Sequence, residues 1–370
     1  MKKIHILLFC ILFVKSTIFM SELTAQDAIF AQHYASPLYL NPAMMGVYQG
    51  QYRFNANYRQ QWSGIFSDVP IRQIHASFDY RFRIADDDFL AFGINALEDE
   101  LGADSKIKST RGNIGISYMK QLSGNRYRSA DQYLVIGAQV GTGQYSAGTG
   151  GLWFDLQYDS ANIAVNTALP TGELSPQSPM FFDVNAGLMW YTVAGDNRSF
   201  HAGASVQHLT QPNVSFFGNK SETLKRRFIV HAGGEFPLND QLSLLPSMMT
   251  TLQGPSITTQ LGANFRYSNH DWDEVAIRIG GWYRLSGRYV SNAVSSGNVS
   301  QPATSSKAGL LGDAFTVTTM LELNRWLIGV SYDIHTSSII KPTNGRGGFE
   351  LSLIYVAPER IAVKTACPKF

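Results

Sequence analysis

Three histidines lie in stretches of the chain in which apolar and polar side chains alternate: His75, His201 and His231. Each lies on the polar face of its stretch, and a carboxylate follows two of them, Asp79 after His75 and Glu235 after His231. Imidazole and carboxylate groups can serve acid–base or nucleophilic catalysis when a nucleophile lies within hydrogen-bond reach. No G-x-S-x-G, H-E-x-x-H or comparable motif accompanies them. We therefore predict that the protein is not an enzyme, has no catalytic residue and uses these histidines structurally.

Arginines on the same polar faces form a second set of residues that could bind anions or form ion pairs. They are Arg53, Arg59, Arg81, Arg83, Arg266, Arg278 and Arg284. Carboxylates occupy these faces at a comparable frequency, at Asp79, Glu235, Glu322, Asp333 and Glu350. The arginines could bias a pore towards anions, or they could pair with the carboxylates across a polar lumen. We expect pairing, because acidic partners are available for most of them.

Metal and thiol chemistry have little support in the sequence. The acidic run Asp86-Asp-Asp88 lacks the D-x-D-x-D-G spacing of a calcium loop and is interpreted as a solvated turn. The two cysteines are Cys10, within the amino-terminal leader, and Cys367, near the carboxyl terminus. Once the leader is removed, Cys367 has no partner for an internal disulfide. We predict no metal site and no cofactor.

Composition and the amino terminus indicate an exported protein. Charged residues make up 16% of the chain, below the roughly 25% of average soluble proteins, while aromatic residues reach 12%. The formal net charge of +2 gives no electrostatic footprint for nucleic acid. Residues 1–25 have the pattern of a signal peptide, with a positive start, an apolar stretch Ile4–Val14 and a cleavage site after Ala25. The apolar stretch is too short for a membrane-spanning helix.

A two-residue period recurs along nearly the whole remaining chain and predicts the fold. Between Gln73 and Ile84 one face is wholly apolar and the other wholly polar, as in a strand whose successive side chains point to opposite sides. The chain contains about fourteen such stretches, each of roughly ten residues, which is the length that a tilted strand needs to cross a bilayer. We predict an all-β fold over residues 51–356: a transmembrane antiparallel β-barrel with an apolar outside in contact with outer-membrane lipids.

Loop lengths indicate the orientation of this barrel. Connections after even-numbered stretches are short, as at Gly195-Asp-Asn197 and Asn324-Arg325. Most connections after odd-numbered stretches are long, as at 146–180 and 286–312, although Gly254-Pro255 is a short exception. Outer-membrane barrels have tight periplasmic turns and long external loops. We therefore predict periplasmic termini, long external loops and a location in the cell outer membrane.

Residues 26–50 show no sustained period and are predicted to form a periplasmic or plug-like segment. Pro37 and Pro42 interrupt regular structure, and large apolar side chains such as Phe30 and Leu38 are too frequent for a disordered leader. We expect the segment to pack onto or into the barrel, most favourably at its periplasmic end. Inward-facing glycines fit tight strand curvature or close contact with a plug; they are Gly115, Gly137, Gly203, Gly233, Gly262 and Gly280.

Both ends of the chain carry recognisable motifs. The amino-terminal ones are Phe30-Ala-Gln-His-Tyr34, Pro37-Leu-Tyr-Leu-Asn-Pro-Ala-Met-Met-Gly46 and Tyr58-Arg-Gln-Gln-Trp62; the carboxyl-terminal ones are Gly329-Val-Ser-Tyr-Asp333, Gly347-Gly-Phe-Glu-Leu-Ser-Leu-Ile-Tyr355 and Ala366-Cys-Pro-Lys-Phe370. Together they resemble the opening and closing motifs of the PorP/SprF family. The resemblance implies an outer-membrane component of the type IX secretion system of Bacteroidota. It implies roles in cargo export and, in gliding species, in delivery of surface adhesins for gliding motility, together with contacts to peptidoglycan-associated periplasmic lipoproteins.

Prolines and aromatic residues in both end segments favour a docking surface, because they restrict the conformations available before binding. We hypothesise that residues 26–46 and the carboxyl-terminal tail, 357–370, form a periplasmic face for partner proteins. The candidate docking residues are Tyr34, Tyr39, Asn41, Pro42, Cys367 and Pro368. The predicted function is a non-enzymatic secretion component that supports export or surface anchoring of cargo proteins. The alternative is an outer-membrane channel for small or hydrophobic solutes, which a barrel of this size also suits.

Overall fold

The structure is a computed structural model, and its described residues cover most of the predicted barrel. They are 27–61, 71–84, 88–102, 107–123, 130–148, 154–159, 163–169, 177–195, 198–216, 222–269, 275–288, 310–337, 345–358 and 367–368. The predicted signal peptide lies outside these residues, as does most of the carboxyl-terminal tail.

Within the described residues, fourteen antiparallel strands close into one barrel, which confirms the predicted fold. The barrel strands are β1 (Tyr52–Gln61), β2 (Ile71–Arg83), β3 (Phe89–Leu101), β4 (Ile107–Ser123), β5 (Ala130–Ala147), β8 (Phe181–Ala194), β9 (Arg198–Gln207), β10 (Arg227–Pro237), β11 (Leu242–Gln253), β12 (Ser256–Ser268), β13 (Val275–Arg288), β14 (Leu310–Leu323), β15 (Trp326–His335) and β16 (Arg346–Val356). Barrel strands that follow each other in the chain pair in space, and β1 pairs with β16 to close the cylinder. A separate two-stranded hairpin, β6 (Tyr158–Asp159) and β7 (Ala164–Val165), was not predicted.

The two faces of each strand divide as the two-residue period predicts. In β2 the side chains of Ile74 and Phe78 are 49% and 38% exposed, whereas His75 and Asp79 are fully buried at 0%. The exposed apolar side chains recur on every barrel strand and form a band around the outside. Such a large exposed apolar surface is unfavourable in water and suits contact with lipid. The strands therefore present the wall of an outer-membrane barrel.

The connections divide between the two ends of the barrel as predicted. One end carries the short connections 84–88, 195–197, 238–241 and 324–325, and we call it the turn end. The opposite, long-loop end carries the connections 148–180, 208–226, 289–309 and 336–345. Both Tyr52, where β1 begins, and Val356, where β16 ends, lie at the turn end.

Residues 27–50 lie inside the lumen, and we call them the plug. At the long-loop end the backbone N–H of Asp27 donates to Gln253 Oε1 at 2.9 Å. At the turn end the chain leaves the lumen where the N–H of Gln51 donates to the carbonyl of Ala357 at 2.9 Å. The plug thus runs the length of the barrel instead of sitting only at the expected periplasmic end, because it finds partners on the wall throughout.

The plug contains three short helical turns, His33–Ala35, Pro37–Leu40 and Pro42–Met44. No helix among the described residues is long and apolar enough to cross a membrane. Most plug side chains are buried, with Leu38, Ala43 and Met45 at 0% exposure. A core therefore forms between the plug and the inner wall of the barrel; it joins Leu40, Ala43, Met44 and Val47 to Phe89, Met119, Tyr133, Val135, Met189, Tyr191, Ile229 and Met249.

Candidate functional site

A row of glycines on neighbouring strands forms a trough in the wall, and the plug lies in it. Gly93 on β3 faces Gly115 on β4, and Gly137 on β5 faces Gly187 on β8. A Cβ on Gly137 would come within 2.6 Å of the backbone nitrogen of Ala43, and one on Gly115 within 2.7 Å of the Met45 methyl group. The trough exists because these strands present no side chain at this level.

The glycine prediction is confirmed for Gly115, Gly137 and Gly203, each of which closely approaches the plug. Other inward glycines have different neighbours. A Cβ on Gly262 would collide with the neighbouring strand at Trp282, and one on Gly280 with Asn264. These two glycines allow close contacts within the wall, and their predicted role in tight strand curvature stays a prediction.

Asn41 fixes the middle of the plug to the trough. Its side-chain nitrogen donates to the carbonyl of Leu188 at 3.1 Å and to Nε2 of His231 at 3.0 Å. Its side-chain oxygen accepts the N–H of Ala43 at 2.9 Å, capping the helical turn that begins at Pro42. Asn41 is fully buried, so this candidate docking residue serves the internal contact between plug and wall.

Wall side chains also satisfy the backbone of the plug. Buried backbone groups need hydrogen-bond partners when water is excluded, and the plug has little secondary structure of its own. The donors are Gln260 to the carbonyl of Phe30 (3.2 Å), Gln139 to Leu38 (3.1 Å), Gln207 to Tyr39 (2.6 Å), Ser205 to Leu40 (2.8 Å) and Ser117 to Met45 (2.7 Å). The polar inner face therefore works as a template for this particular segment.

Glu350 on β16 holds the first part of the plug. Its carboxylate accepts the backbone N–H of Ala31 at 2.6 Å and that of Gln32 at 3.0 Å. Arg59 on β1 donates to the carbonyl of Ile29 and lies 3.7 Å from the same carboxylate. Charge-assisted hydrogen bonds are stronger than neutral ones, so this is a firm anchor.

The predicted pairing of inward arginines and carboxylates is confirmed for several pairs. Arg53 binds Asp79 at 2.9 Å, Arg59 binds Asp333 at 2.6 Å, and Arg284 also reaches Asp333 at 3.0 Å. Arg266 and Arg278 both bind Glu322, the former at 2.8 Å. Burial of these charges is tolerable because each is paired and hydrogen-bonded.

A second anchor at the long-loop end escaped the sequence analysis. Asp27 accepts from Arg111 at 2.6 Å and lies 2.6 Å from Nε2 of His208, whose Nδ1 lies 2.6 Å from Asp183. Burial alone would raise the pKa of Asp27, but Arg111 and His208 outweigh it and hold that pKa well below its usual value. Burial would lower the pKa of His208, yet the two carboxylates raise it. We call Asp27, His208 and Asp183 the clasp.

The three histidines of the catalytic hypothesis pack in the interior. His75 lies against the rings of Phe30 and Tyr39, with centroid separations of 6.0 Å and 5.6 Å. The rings of His201 and His231 are 5.9 Å apart. No group of three His, Cys, Asp or Glu side chains within the described ranges could hold a metal ion. These contacts are structural, and the absence of enzymatic activity stays a prediction.

The described part of the carboxyl-terminal tail returns into the turn end. Cys367 is 3% exposed, and its sulfur accepts from Arg81 Nη1 at 3.2 Å. The Tyr191 hydroxyl lies 3.9 Å from the same sulfur, and Gln49 donates to the Cys367 carbonyl at 3.5 Å. Cys367 therefore helps to fix the tail beside the last residues of the plug.

A cavity of about 410 Å³ lies where the two end segments meet. We call it the turn-end cavity. Its lining residues are Tyr34, Pro37, Tyr48, Gln49, Arg53, Asn55, Arg278, Glu322, Asn324, Arg325, Trp326, Leu327, Ile354, Val356, Pro358 and Pro368. Gln49, Asn324, Arg325 and Pro358 are exposed, so the cavity opens at the turn end.

The six candidate docking residues thus have different positions. Tyr34 and Pro368 line the turn-end cavity. The Tyr39 hydroxyl donates to the carbonyl of Ala28 at 2.6 Å, while Pro42 lies in the glycine trough. The expectation that this segment forms an exposed surface is wrong for these plug residues, because the glycine trough and the polar wall bury them. A docking role for the six residues stays a prediction.

Solved outer-membrane barrels resemble the chain in fold. The toluene transporter TbuX of Ralstonia pickettii matches with a TM-score of 0.48 at 10% identity, over 87% of this chain and 92% of that one. The toluene transporter TodX of Pseudomonas putida matches with a TM-score of 0.43 at 10% identity, over 90% and 98%. CdiB of Acinetobacter baumannii matches with a TM-score of 0.42 at 8% identity, over 82% and 60%. These distant similarities concern the fold alone.

Sequence comparison gives a more specific result. The family model described as type IX secretion system membrane protein PorP/SprF matches residues 22–355, which covers nearly the whole chain and includes the plug and every barrel strand but the last residue of β16. No curated protein sequence matches the chain.

Proposed function

The chain belongs to the PorP/SprF family of type IX secretion system membrane proteins, and from this premise we propose that it is a non-enzymatic outer-membrane component that supports export or surface anchoring of cargo proteins. Its turn end faces the periplasm and docks a peptidoglycan-associated lipoprotein of the secretion machinery. Its long loops face outwards and are available to cargo, including adhesins where the host glides.

The observation that carries this proposal is the convergence of both end segments on the turn-end cavity. Pro37, Tyr48 and Gln49 come from the plug, and Pro358 and Pro368 come from the carboxyl-terminal side. Residues more than 300 positions apart thereby form one face, held by the bonds from Gln51 to Ala357 and from Gln49 to Cys367. A preorganised face lowers the entropy lost on binding, which favours a docking role over a loose tail.

The occupied lumen supports a scaffold more than a passive pore. Leu38, Met44 and Met45 are at most 1% exposed and pack against the wall, and Glu350 and the clasp anchor the segment before them. A solute channel would need this plug to move or leave. The alternative function as a channel for small or hydrophobic solutes therefore has less support.

The proposal is tested by removing residues 359–370 from the chromosomal copy of the protein. We expect a normal amount of folded barrel in the outer membrane, loss of periplasmic lipoproteins from the affinity-purified complex and reduced cargo in the medium or on the cell surface. The control is a barrel that lacks the outer hairpin residues 158–165, which lie at the opposite end. Normal export and an unchanged set of co-purified proteins after the tail truncation, with normal barrel levels, contradict the docking face.

A further inference from the structure

Among the residues that the structure describes, arginines outnumber carboxylates around the turn-end cavity. Three arginines and one glutamate line it: Arg53, Arg278, Arg325 and Glu322. Behind the lining, Arg53 pairs with Asp79, whereas Glu322 is shared between Arg278 and Arg266. Arg325 at the rim adds a further positive charge.

The excess of arginines remains when the charged residues behind the cavity lining are counted as well. Arg81 lies over the ring of Tyr48, as Arg53 does, with separations of 5.5 Å and 4.7 Å from the ring centre. Glu235 on β10 interacts electrostatically with Arg266 on β12. Within the described part of the chain, the five arginines Arg53, Arg81, Arg266, Arg278 and Arg325 therefore outnumber the three carboxylates Asp79, Glu235 and Glu322 by two.

Apolar side chains line the cavity beside these charged residues, since Leu327 is the cross-strand neighbour of Glu322 and Ile354 is the cross-strand neighbour of Leu327. Leu327 and Ile354 pack against the cluster formed by Tyr34, Trp282 and Met320. The exposed Pro358 also lines the cavity, towards its opening. A ligand that fits this lining has an anionic group within reach of the arginines and an apolar or ring-bearing portion next to it. The volume of about 410 Å³ lies within the range of ordinary ligand pockets.

We propose that the turn-end cavity binds an acidic peptide segment of a periplasmic partner, with a carboxylate at Arg278 and Arg325 and an apolar or aromatic neighbour on Leu327 and Ile354. This inference rests on the proposed docking function of the same face and adds the chemistry of its partner. Guanidinium groups bind carboxylates in charge-assisted, often bidentate geometry. A peptide is favoured over a lipid headgroup because Arg278, Leu327 and Ile354 line the lumen side of the wall, while the lipid-facing side carries residues such as Ile328 and Leu351.

Fluorescence anisotropy with the purified barrel in neutral detergent tests this inference. The probe is the blocked peptide Glu-Pro-Phe-Asp with a neutral dye, and its matched control is Gln-Pro-Phe-Asn with the same dye. We expect the acidic peptide to bind at least about tenfold more tightly, and more weakly as salt rises, because exposed charge interactions are screened. Arg325→Glu, at an exposed turn position, should abolish this preference, and Arg278→Gln should weaken it. Arg198→Glu is the control, since Arg198 is exposed at the same end and does not line the cavity.

Equal binding of the two peptides, or no effect of Arg325→Glu in a folded barrel, overturns the inference. Arginine-dependent binding of lysophosphatidylglycerol without binding of the acidic peptide also overturns it and assigns the cavity to a lipid headgroup. The assay contains no other secretion component, so a negative result leaves the proposed function standing. Conversely, an unchanged set of co-purified lipoproteins after the tail truncation in cells, with peptide binding intact, counts against the proposed function alone.

Discussion

Glu350 on the last strand accepts the backbone N–H of Gln32 at 3.0 Å, although 318 residues separate the two in the chain. A carboxylate bound to backbone N–H groups recognises the path of the main chain and not one side-chain type. The final strand therefore closes the barrel and also holds the plug. This double role links assembly of the wall to filling of the lumen.

Replacing Glu350 by Gln should loosen this anchor. The amide keeps one acceptor oxygen and loses the charge that strengthens the bonds to Ala31 and Gln32, so we expect the free energy of unfolding in lipid vesicles to fall by about 2 kcal/mol. Urea titration of the folded barrel measures it. Glu98→Gln is the control, because Glu98 pairs with Lys108 at a half-exposed site and its loss should cost about 0.5 kcal/mol or less. Equal losses of unfolding free energy in both variants would contradict the role of Glu350 as an anchor of the plug.

Substitution of Gly137 should displace the plug without breaking the barrel. Valine at this position would meet Pro42 and Ala43 at the trough, so backbone amides of residues 38–45 should exchange with solvent at least about tenfold faster. Hydrogen exchange read by mass spectrometry provides the measurement. Gly112→Val is matched to it, since an added Cβ there has no neighbour closer than 4.0 Å. Unchanged protection in Gly137→Val contradicts the trough.

The clasp gives the beginning of the plug a defined pH dependence. The pKa of His208 is raised in the folded state, so its stabilisation is complete below the unfolded value of about 6.5 and is lost as the pH rises through the folded pKa. The pKa of Asp27 is lowered, so its stabilisation is present above about pH 4 and is lost as the pH falls through the folded pKa. We expect the amides of residues 27–32 to be most protected from hydrogen exchange between these limits, after correction for the intrinsic rate.

His208→Gln provides the control for the clasp. Glutamine can still bond to the carboxylates but does not titrate, so the alkaline loss of protection should vanish while the acidic loss remains. Arg111, 3.4 Å from His208, stays charged throughout this range. An alkaline loss of the same size in this variant would contradict the assignment to His208.

The thiol of Cys367 should report whether the tail stays in place. At 3% exposure, and bonded to Arg81, it should react with a membrane-impermeant maleimide about a hundredfold more slowly than in the unfolded chain. Arg81→Ala should accelerate the reaction. An exposed reference thiol, Asp240→Cys in a Cys367→Ser background, should react at the unfolded rate. Equally rapid reaction at both positions in the folded protein contradicts the buried tail.

Much of the wall could be predicted from sequence because lipid and lumen impose opposite demands on alternate residues. The period around Ile74 and His75 identifies β2, and the alternation of short and long connections follows from the order of the strands. The arginine pairs were also predictable as a class, since inward charges in a lumen need partners.

The path of the plug was not predictable in the same way. Asp27 and Asn41 are positioned by partners far away in the chain, and no local period marks them. Asn41 was predicted to contact a docking partner, whereas the wall supplies hydrogen-bond partners for it inside the barrel. His208 follows β9 in a loop, where a single histidine gives no signal of two carboxylates converging on it.

Ion conductance across a planar lipid bilayer tests the plugged barrel most directly. The full-length protein should show no stable open channel, because the plug occupies the lumen from Asp27 to Gly50. A variant without residues 27–46 that still inserts and shows the circular dichroism of a β-barrel should open a large, long-lived channel. A steady conductance of the full-length barrel equal to that of the deletion variant would contradict the account.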